Sequence, residues 1–256
     1  MDVAALRQRI ARIAPVERCP AALASTGHEG MDAALGGGLL RGRLHEIFAG
    51  ENDDASSAAG FAAMLALRLA QPGQALLWLR TDKAQRQGGC FHAPGWAELG
   101  GDPDTVVLAL APDDVALLRC AADAARCSGL GAIVAECWGK PRVLDLTASR
   151  RLALAAEQSG VPLLLLRVDA EPAPSAADTR WRVAAAPSQA LAANAPGHSA
   201  LDIKLLRRRS GPSGLGWQLE WNRDDLAFRE PALSGALVPL SPGRTVADMQ
   251  PRRRTG

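Results

Sequence analysis

The chain has 256 residues, 48% of them hydrophobic and 22% charged, with a formal net charge of +2. That length supports one large domain with tails, and the composition excludes a disordered or membrane-spanning chain. A charge so near balance excludes any argument for nucleic-acid binding from bulk electrostatics and leaves only local basic clusters to consider.

In chain order, residues 3–14 place Leu6, Ile10 and Ile13 on one helical face, with Arg7, Gln8, Arg9 and Arg12 elsewhere. Pro15 and Pro20 break the chain after this short amphipathic helix, which packs on its own domain or docks on a neighbour. Leu44–Phe48 reads as a strand. The almost wholly apolar stretch from Ser57 to Ala70 is too long for a strand and predicts a buried helix, closed by Pro72-Gly73. Ala75–Leu79 is a continuous apolar run of the kind found in parallel strands covered on both faces.

The glycine- and proline-rich stretch from Gly88 to Pro103 reads as loop, and Thr105–Leu110 as the next strand. Pro112 and Asp113 open a helix whose apolar face includes Val115, Leu118 and Ala122 and which ends near Gly129. Ala132–Ala135 is a strand ending at Glu136. Thr147 has the character of an N-cap for a helix running to Gln158, with Gly160 as terminator. Val161–Leu166 returns to the sheet. Strands alternating with helices at this spacing predict a doubly wound α/β sandwich.

Thr179–Ala185, Leu201–Arg207 and Trp217–Trp221 alternate instead like antiparallel strands, the last two joined by a hairpin-like turn at Gly211–Gly216. From Pro231 the chain is proline-rich, carries Leu237 and Leu240 without a visible core, and ends in Arg252, Arg253 and Arg254. The expected organisation is an N-terminal helix and linker (1–24), a core (25–230) and a tail (231–256).

The five cysteines, Cys19, Cys90, Cys120, Cys127 and Cys137, form no C-x-x-C pair and no ligand-like grouping with the four histidines. Reduced thiols and no bound metal are expected. The N-terminus lacks the charged-then-apolar order of a signal, and apolar runs fall short of the ~20 residues a bilayer span needs. A cytoplasmic protein without membrane contact is the expectation.

The run from Ser25 to Phe48 resembles the opening of the RecA nucleotide-binding core. In that family the strand ending near Phe48 leads straight into G-x-x-x-x-G-K-[ST]. Here the continuation is Ala49-Gly50-Glu51-Asn52-Asp53-Asp54-Ala55-Ser56, so Asp54 stands at the second glycine and Ala55 at the lysine. A phosphate loop works because bare backbone N–H groups and the positive end of a helix face the anion while a lysine adds charge. Asp53 and Asp54 put carboxylates there instead, and such carboxylates suit the orphan N–H groups of a helix start. Losing the lysine and gaining local negative charge each cost on the order of 1–3 kcal/mol of anion binding. No nucleotide cofactor is expected.

The resemblance to RecA covers roughly residues 25–225. It implies a mainly parallel sheet with helices on both faces and an antiparallel C-terminal extension. A closer likeness is to the ImuA family, RecA/SulA-like accessory proteins of bacterial mutagenesis cassettes. It is carried by Ser25–Ala34, Gly42–Phe48, Thr179–Ser188, Leu205–Arg209 and Trp217–Trp221. This resemblance implies a non-enzymatic, RecA-like adaptor acting after DNA damage (the SOS response) in error-prone translesion synthesis. The partners it implies are ImuB, an inactive Y-family polymerase relative, and an error-prone C-family polymerase, with RecA as a further candidate. A DNA-stimulated RecA-type ATPase and a SulA-like inhibitor of cell division are the alternatives.

Three candidate sites follow. A residual ATPase would use Glu136, at the magnesium-associated acid position of the resembled family, with Asp82 near the catalytic glutamate and Lys140 as a substitute cation. Nucleic-acid contact would use Arg207, Arg208 and Arg209 with Trp217 and Trp221, supported by Arg180, Trp181 and Arg182; a tryptophan pair on one strand face is more often core. Partner docking would use Leu6, Ile10 and Ile13 at one end and Leu237, Leu240 and Arg252–Arg254 at the other.

Overall fold

A computed structural model of the chain describes residues 22–188 and 197–231. The expected helix at 3–14 and the tail beyond residue 231 lie outside these described residues, and with them Leu6, Ile10, Ile13, Leu237, Leu240 and Arg252–Arg254.

Leu23–Ala24 (β1) and Leu39–Leu40 (β2) pair as a small antiparallel ribbon around the helix Glu29–Ala34 (α1). The glycines between α1 and β2 make a tight return. Gly38 has φ +129°, and a Cβ there would lie 2.4 Å from the Ala24 carbonyl oxygen, so only glycine fits. Leu44–Ala49 (β3) is buried at every position. A 3-10 turn at Asn52–Asp54 then leads into the long helix Ala55–Leu69 (α2), rich in alanine and leucine, the strongest helix formers.

Ala75–Thr81 (β4) passes through two short helices, Asp82–Gly88 (α3) and Ala93–Glu98 (α4), to Val106–Ala111 (β5). Next come Asp114–Ala124 (α5), Leu130–Trp138 (β6), Leu146–Ser159 (α6) and Leu163–Val168 (β7). Thr179–Ala185 (β8), Ala200–Arg208 (β9), Leu215–Asn222 (β10) and Ala227–Arg229 (β11) complete the described chain.

Nine strands form one sheet of order β11-β10-β9-β8-β3-β7-β6-β4-β5. The six strands from β8 to β5 run parallel, and β9, β10 and β11 then alternate in direction. Because successive side chains on a strand point to opposite faces, the apolar run of β7 feeds two cores. Leu164 and Leu166 pack with Phe61, Leu65 and Met64 of α2, whereas Leu163 and Leu165 pack with Leu117 of α5 and Leu152 of α6. Helices therefore cover both faces, as the α/β reading expects. No helix among the described residues is long and apolar enough to cross a membrane.

Several local expectations need correction. Residues 88–103 are not all loop: α4 lies within them. His92 caps it by accepting from the Gly95 amide at 3.0 Å, and Pro94 sits in the first turn, where a missing N–H costs nothing. The helix after Pro112 buries Leu117 and Ala121, with its C-cap Ala125, while Val115 is 38% exposed and Leu118 and Ala122 only flank the core. It ends at Ala124, short of Gly129. Asp145, not Thr147, caps α6, accepting from the Ala148 amide at 2.7 Å; Gly160 closes that helix in the left-handed region as expected. Strand β8 alternates, yet it runs parallel to β3 and antiparallel only to β9. β11 carried no periodic signal, being three residues long.

Candidate functional site

The phosphate-loop remnant sits at the carboxyl end of β3, a usual ligand position in open α/β sheets. Its backbone is held by its own side chain. Asp54 accepts from the Glu51 amide through Oδ2 at 3.0 Å and from the Ala185 amide through Oδ1 at 2.9 Å. Gly50 donates its amide to the Val183 carbonyl at 2.8 Å, and a Cβ on it would meet Asp54 Oδ2 at 2.6 Å. One carboxylate thus takes up donors on both sides of the turn.

That arrangement corrects the expectation that Asp53 and Asp54 cap α2. Asp54 is the N-cap residue, but its side chain makes no hydrogen bond to the helix and reaches back to the loop and to β8 instead. Asp53 and Ser56 are exposed, and Ala55 offers no cation. Chemically, the turn presents carboxylate where an anion would need amides and a lysine.

The second acid is equally committed. Glu136, near the end of β6, is 4% exposed and accepts from Arg80 Nη2 at 2.8 Å, Trp78 Nε1 at 3.0 Å and Trp138 Nε1 at 2.6 Å. Three of a carboxylate's roughly four acceptor positions are used. Arg80, 7% exposed, also donates to the Ala84 and Gly89 carbonyls at 3.1 and 2.7 Å, tying β4 to the end of α3. Glu136 is a structural anion with its own counter-charge and does not stand free for magnesium. Asp82 begins α3 as an exposed residue, that helix being capped by Thr81. Lys140 is exposed beyond β6.

The proposed stacking surface is taken apart by the fold. Trp181 is fully buried and Trp221 is 3% exposed, its indole N–H donating to the Leu99 carbonyl at 2.9 Å. Trp217 is half-buried against Trp181, ring centroids 6.3 Å apart. Arg180 is buried and pairs with Glu46 at 2.8 Å, and Arg182 pairs with Glu171 at 3.0 Å. Arg208 donates to the Ala34 carbonyl at 3.0 Å, holding α1 to β9. Arg209 lies 3.8 Å from Glu157, which also pairs with Arg43 at 2.8 Å. Arg207 alone of the three is exposed without a partner among the described residues. Trp181 and Trp221 are core and Trp217 packs against Trp181, while of the basic run Arg208 is tied to α1 and Arg207 and Arg209 stay exposed.

Sequence reasoning missed Arg80. A lone arginine inside an apolar strand was the available signal, since a buried cation demands a buried anion. It also missed the unpartnered outer edge of the sheet. β5 leaves Val107, Leu108 and Leu110 about half exposed (51%, 52% and 50%) in a strand whose residues are all apolar.

No family model matches the chain. It is 34% identical over 185 residues to the protein named Protein ImuA of Caulobacter vibrioides strain NA1000 / CB15N, a match spanning 67% of this chain and 72% of that protein. Protein ImuA of the Caulobacter vibrioides strain ATCC 19089 / CIP 103742 / CB 15 matches at the same 34% over 185 residues. Among solved structures, a crystal structure of the RadB recombinase superposes with a TM-score of 0.55 at 16% identity, over 82% of this chain and 100% of that one. That likeness establishes the fold.

Proposed function

The chain belongs to the ImuA family, and from that premise we propose that it is a non-enzymatic, RecA-like adaptor of a DNA-damage-induced, error-prone translesion assembly. The observation that carries the reading is Asp54, whose two carboxylate oxygens occupy the turn that would otherwise cradle phosphate. Glu136 supports it, because a buried acid neutralised by Arg80 has no charge to spare for a metal ion. The architecture of an ATP-driven motor is kept as a rigid frame, and function moves to surfaces that partners can read. An ImuB-like Y-family relative and an error-prone C-family polymerase are the partners this reading assigns, RecA being a further one. DNA is met through them, since Arg180, Trp181 and Trp221 are buried and Arg208 is tied to the Ala34 carbonyl.

Titrating ATP with magnesium into the full chain tests the first half. No heat and no thermal shift are expected, and micromolar binding with hydrolysis would overturn the reading. For the second half, the full chain and a chain ending at Glu230 are each co-purified with the ImuB-like protein. Recovery by the full chain is expected; recovery by neither sinks the adaptor role, and loss on truncation assigns the contact to the tail.

A further inference from the structure

Strand β5 is the outer edge of the nine-stranded sheet, with β4 as its neighbour. An edge strand presents a row of unpaired N–H and C=O groups that can template a further strand. Folded proteins usually blunt such an edge with lysine, proline, a bulge or a covering element. β5 has none of these within it: its sequence is Val106-Val107-Leu108-Ala109-Leu110-Ala111, and its register with β4 is unbroken. Val107, Leu108 and Leu110 stay half exposed, and no further strand among the described residues pairs with them.

The charges at its ends decide what can pair there. Asp102 and Asp104 precede the strand, Asp113 and Asp114 follow it, and no lysine or arginine occurs from residue 102 to 118. None of the four acids forms an ion pair among the described residues. Pairing β5 with β5 of a second copy would set these acids against acids in either direction, which is destabilising. The edge suits an apolar segment accompanied by basic residues.

Residues 231–256 are such a segment. Ala236-Leu237-Val238-Pro239-Leu240 is apolar, and the stretch carries Arg244 and Arg252–Arg254 against one acid, Asp248. A proline is tolerated on the strand that becomes the new edge. Residues 1–21 are basic too, but they space Leu6, Ile10 and Ile13 for a helical face, which a strand slot does not accept.

Distance decides which copy supplies the segment. Pro231 follows β11, which is the opposite edge of the sheet from β5. Nine strands set at about 4.8 Å put the two edges about 38 Å apart. The chain from Pro231 to Leu237 spans at most about 22 Å when fully extended. Leu237 therefore cannot reach β5 of its own sheet.

We propose that the segment around Leu237–Leu240 of one copy pairs as a tenth strand against β5 of a second copy, joining copies head to tail. Alternate side chains of the added strand cover Leu108 and Leu110 on one face and Val107 on the other, while the arginines meet the acids. Donor and acceptor lie at opposite edges, so the contact is heterologous. It goes beyond the adaptor reading, and its test needs neither nucleotide nor any partner protein.

Light scattering of the full chain at rising concentration should give a mass above one protomer. Two variants should each return it to one protomer. Leu108→Lys with Leu110→Lys charges the acceptor edge at positions already half exposed, where lysine reaches water and the fold is kept. A chain ending at Glu230 lacks the donor. Mixed together, the two should form a heterodimer and stop there, because one keeps a tail and the other an edge. A full chain that stays a single protomer, an assembly that survives either variant, or a mixture without heterodimer overturns the proposal.

Discussion

The Ala185 amide donates to Asp54 Oδ1 at 2.9 Å, joining the end of β8 to the turn before α2 across 131 positions of sequence. The same carboxylate takes the Glu51 amide, so one side chain closes a turn and ties it to the neighbouring strand. Removing Asp54 should therefore loosen the loop rather than free a binding site.

Asp54→Ala is expected to lose about 1 kcal/mol of stability, because both amides sit near solvent and water recovers part of the loss. Asp54→Asn keeps an acceptor and should lose less. Urea midpoints of the two variants check this; a stabilised Asp54→Ala would show that the carboxylate strains the turn.

Glu136→Gln leaves Arg80 buried without its counter-charge and is expected to cost about 3–5 kcal/mol. Replacing both partners by apolar residues (Arg80→Met with Glu136→Leu) should cost clearly less than the sum of the two single changes. A double-mutant cycle from chemical denaturation measures that coupling, and strict additivity would disprove the pair.

His45 is fully buried. Its Nδ1 lies 2.8 Å from Thr179 Oγ1, which also accepts from the Trp181 indole, and its Nε2 faces the Leu40 carbonyl at 3.0 Å. Burial lowers its pKa below the ordinary 6.5, outweighing the opposite pull of Asp178 and the Leu40 carbonyl, while Arg43 adds to the lowering. The unfolded chain then takes up a proton first. The His45 contribution is complete above pH 6.5 and is lost as the pH falls below it. Unfolding free energies measured from pH 8 to pH 5 should fall on the acid side, and His45→Gln should flatten that slope.

Burial pushes the Cys137 thiol up to about 12, while Cys90, Cys120 and Cys127 are exposed. Iodoacetamide labelling of the native protein at pH 8, read by mass spectrometry, should modify these three and spare Cys137 until denaturant is added. Labelling of Cys137 at the rate of the others would contradict its place in the core.

The strands of the parallel half were legible where a strand buried on both faces carries a run of apolar residues, as β4, β6 and β7 do before Arg80, Glu136 and Arg167; β3 is interrupted by His45 and Glu46. Helix starts were less so. Thr147 and Asp145 both have capping side chains, and only the first residue to leave helical geometry could show which accepts. The phase of α5 was misjudged because it lies across β4, β5 and β6 near the sheet edge, where Val115 meets solvent.

The sequence alone determined that the phosphate loop lacks its lysine and carries aspartates, because identities at motif positions require no coordinates. It also determined the alternation of strands and helices, which hydrophobic periodicity writes locally. Only the tertiary structure decided where Asp54 sends its oxygens, that Arg80 faces Glu136, and that the tryptophans beside the arginines are core. Those facts depend on which strands become neighbours: β4 meets β6 and β3 meets β8 through contacts far apart in the chain. Burial and pairing are properties of such neighbours, and local pattern carries no record of them.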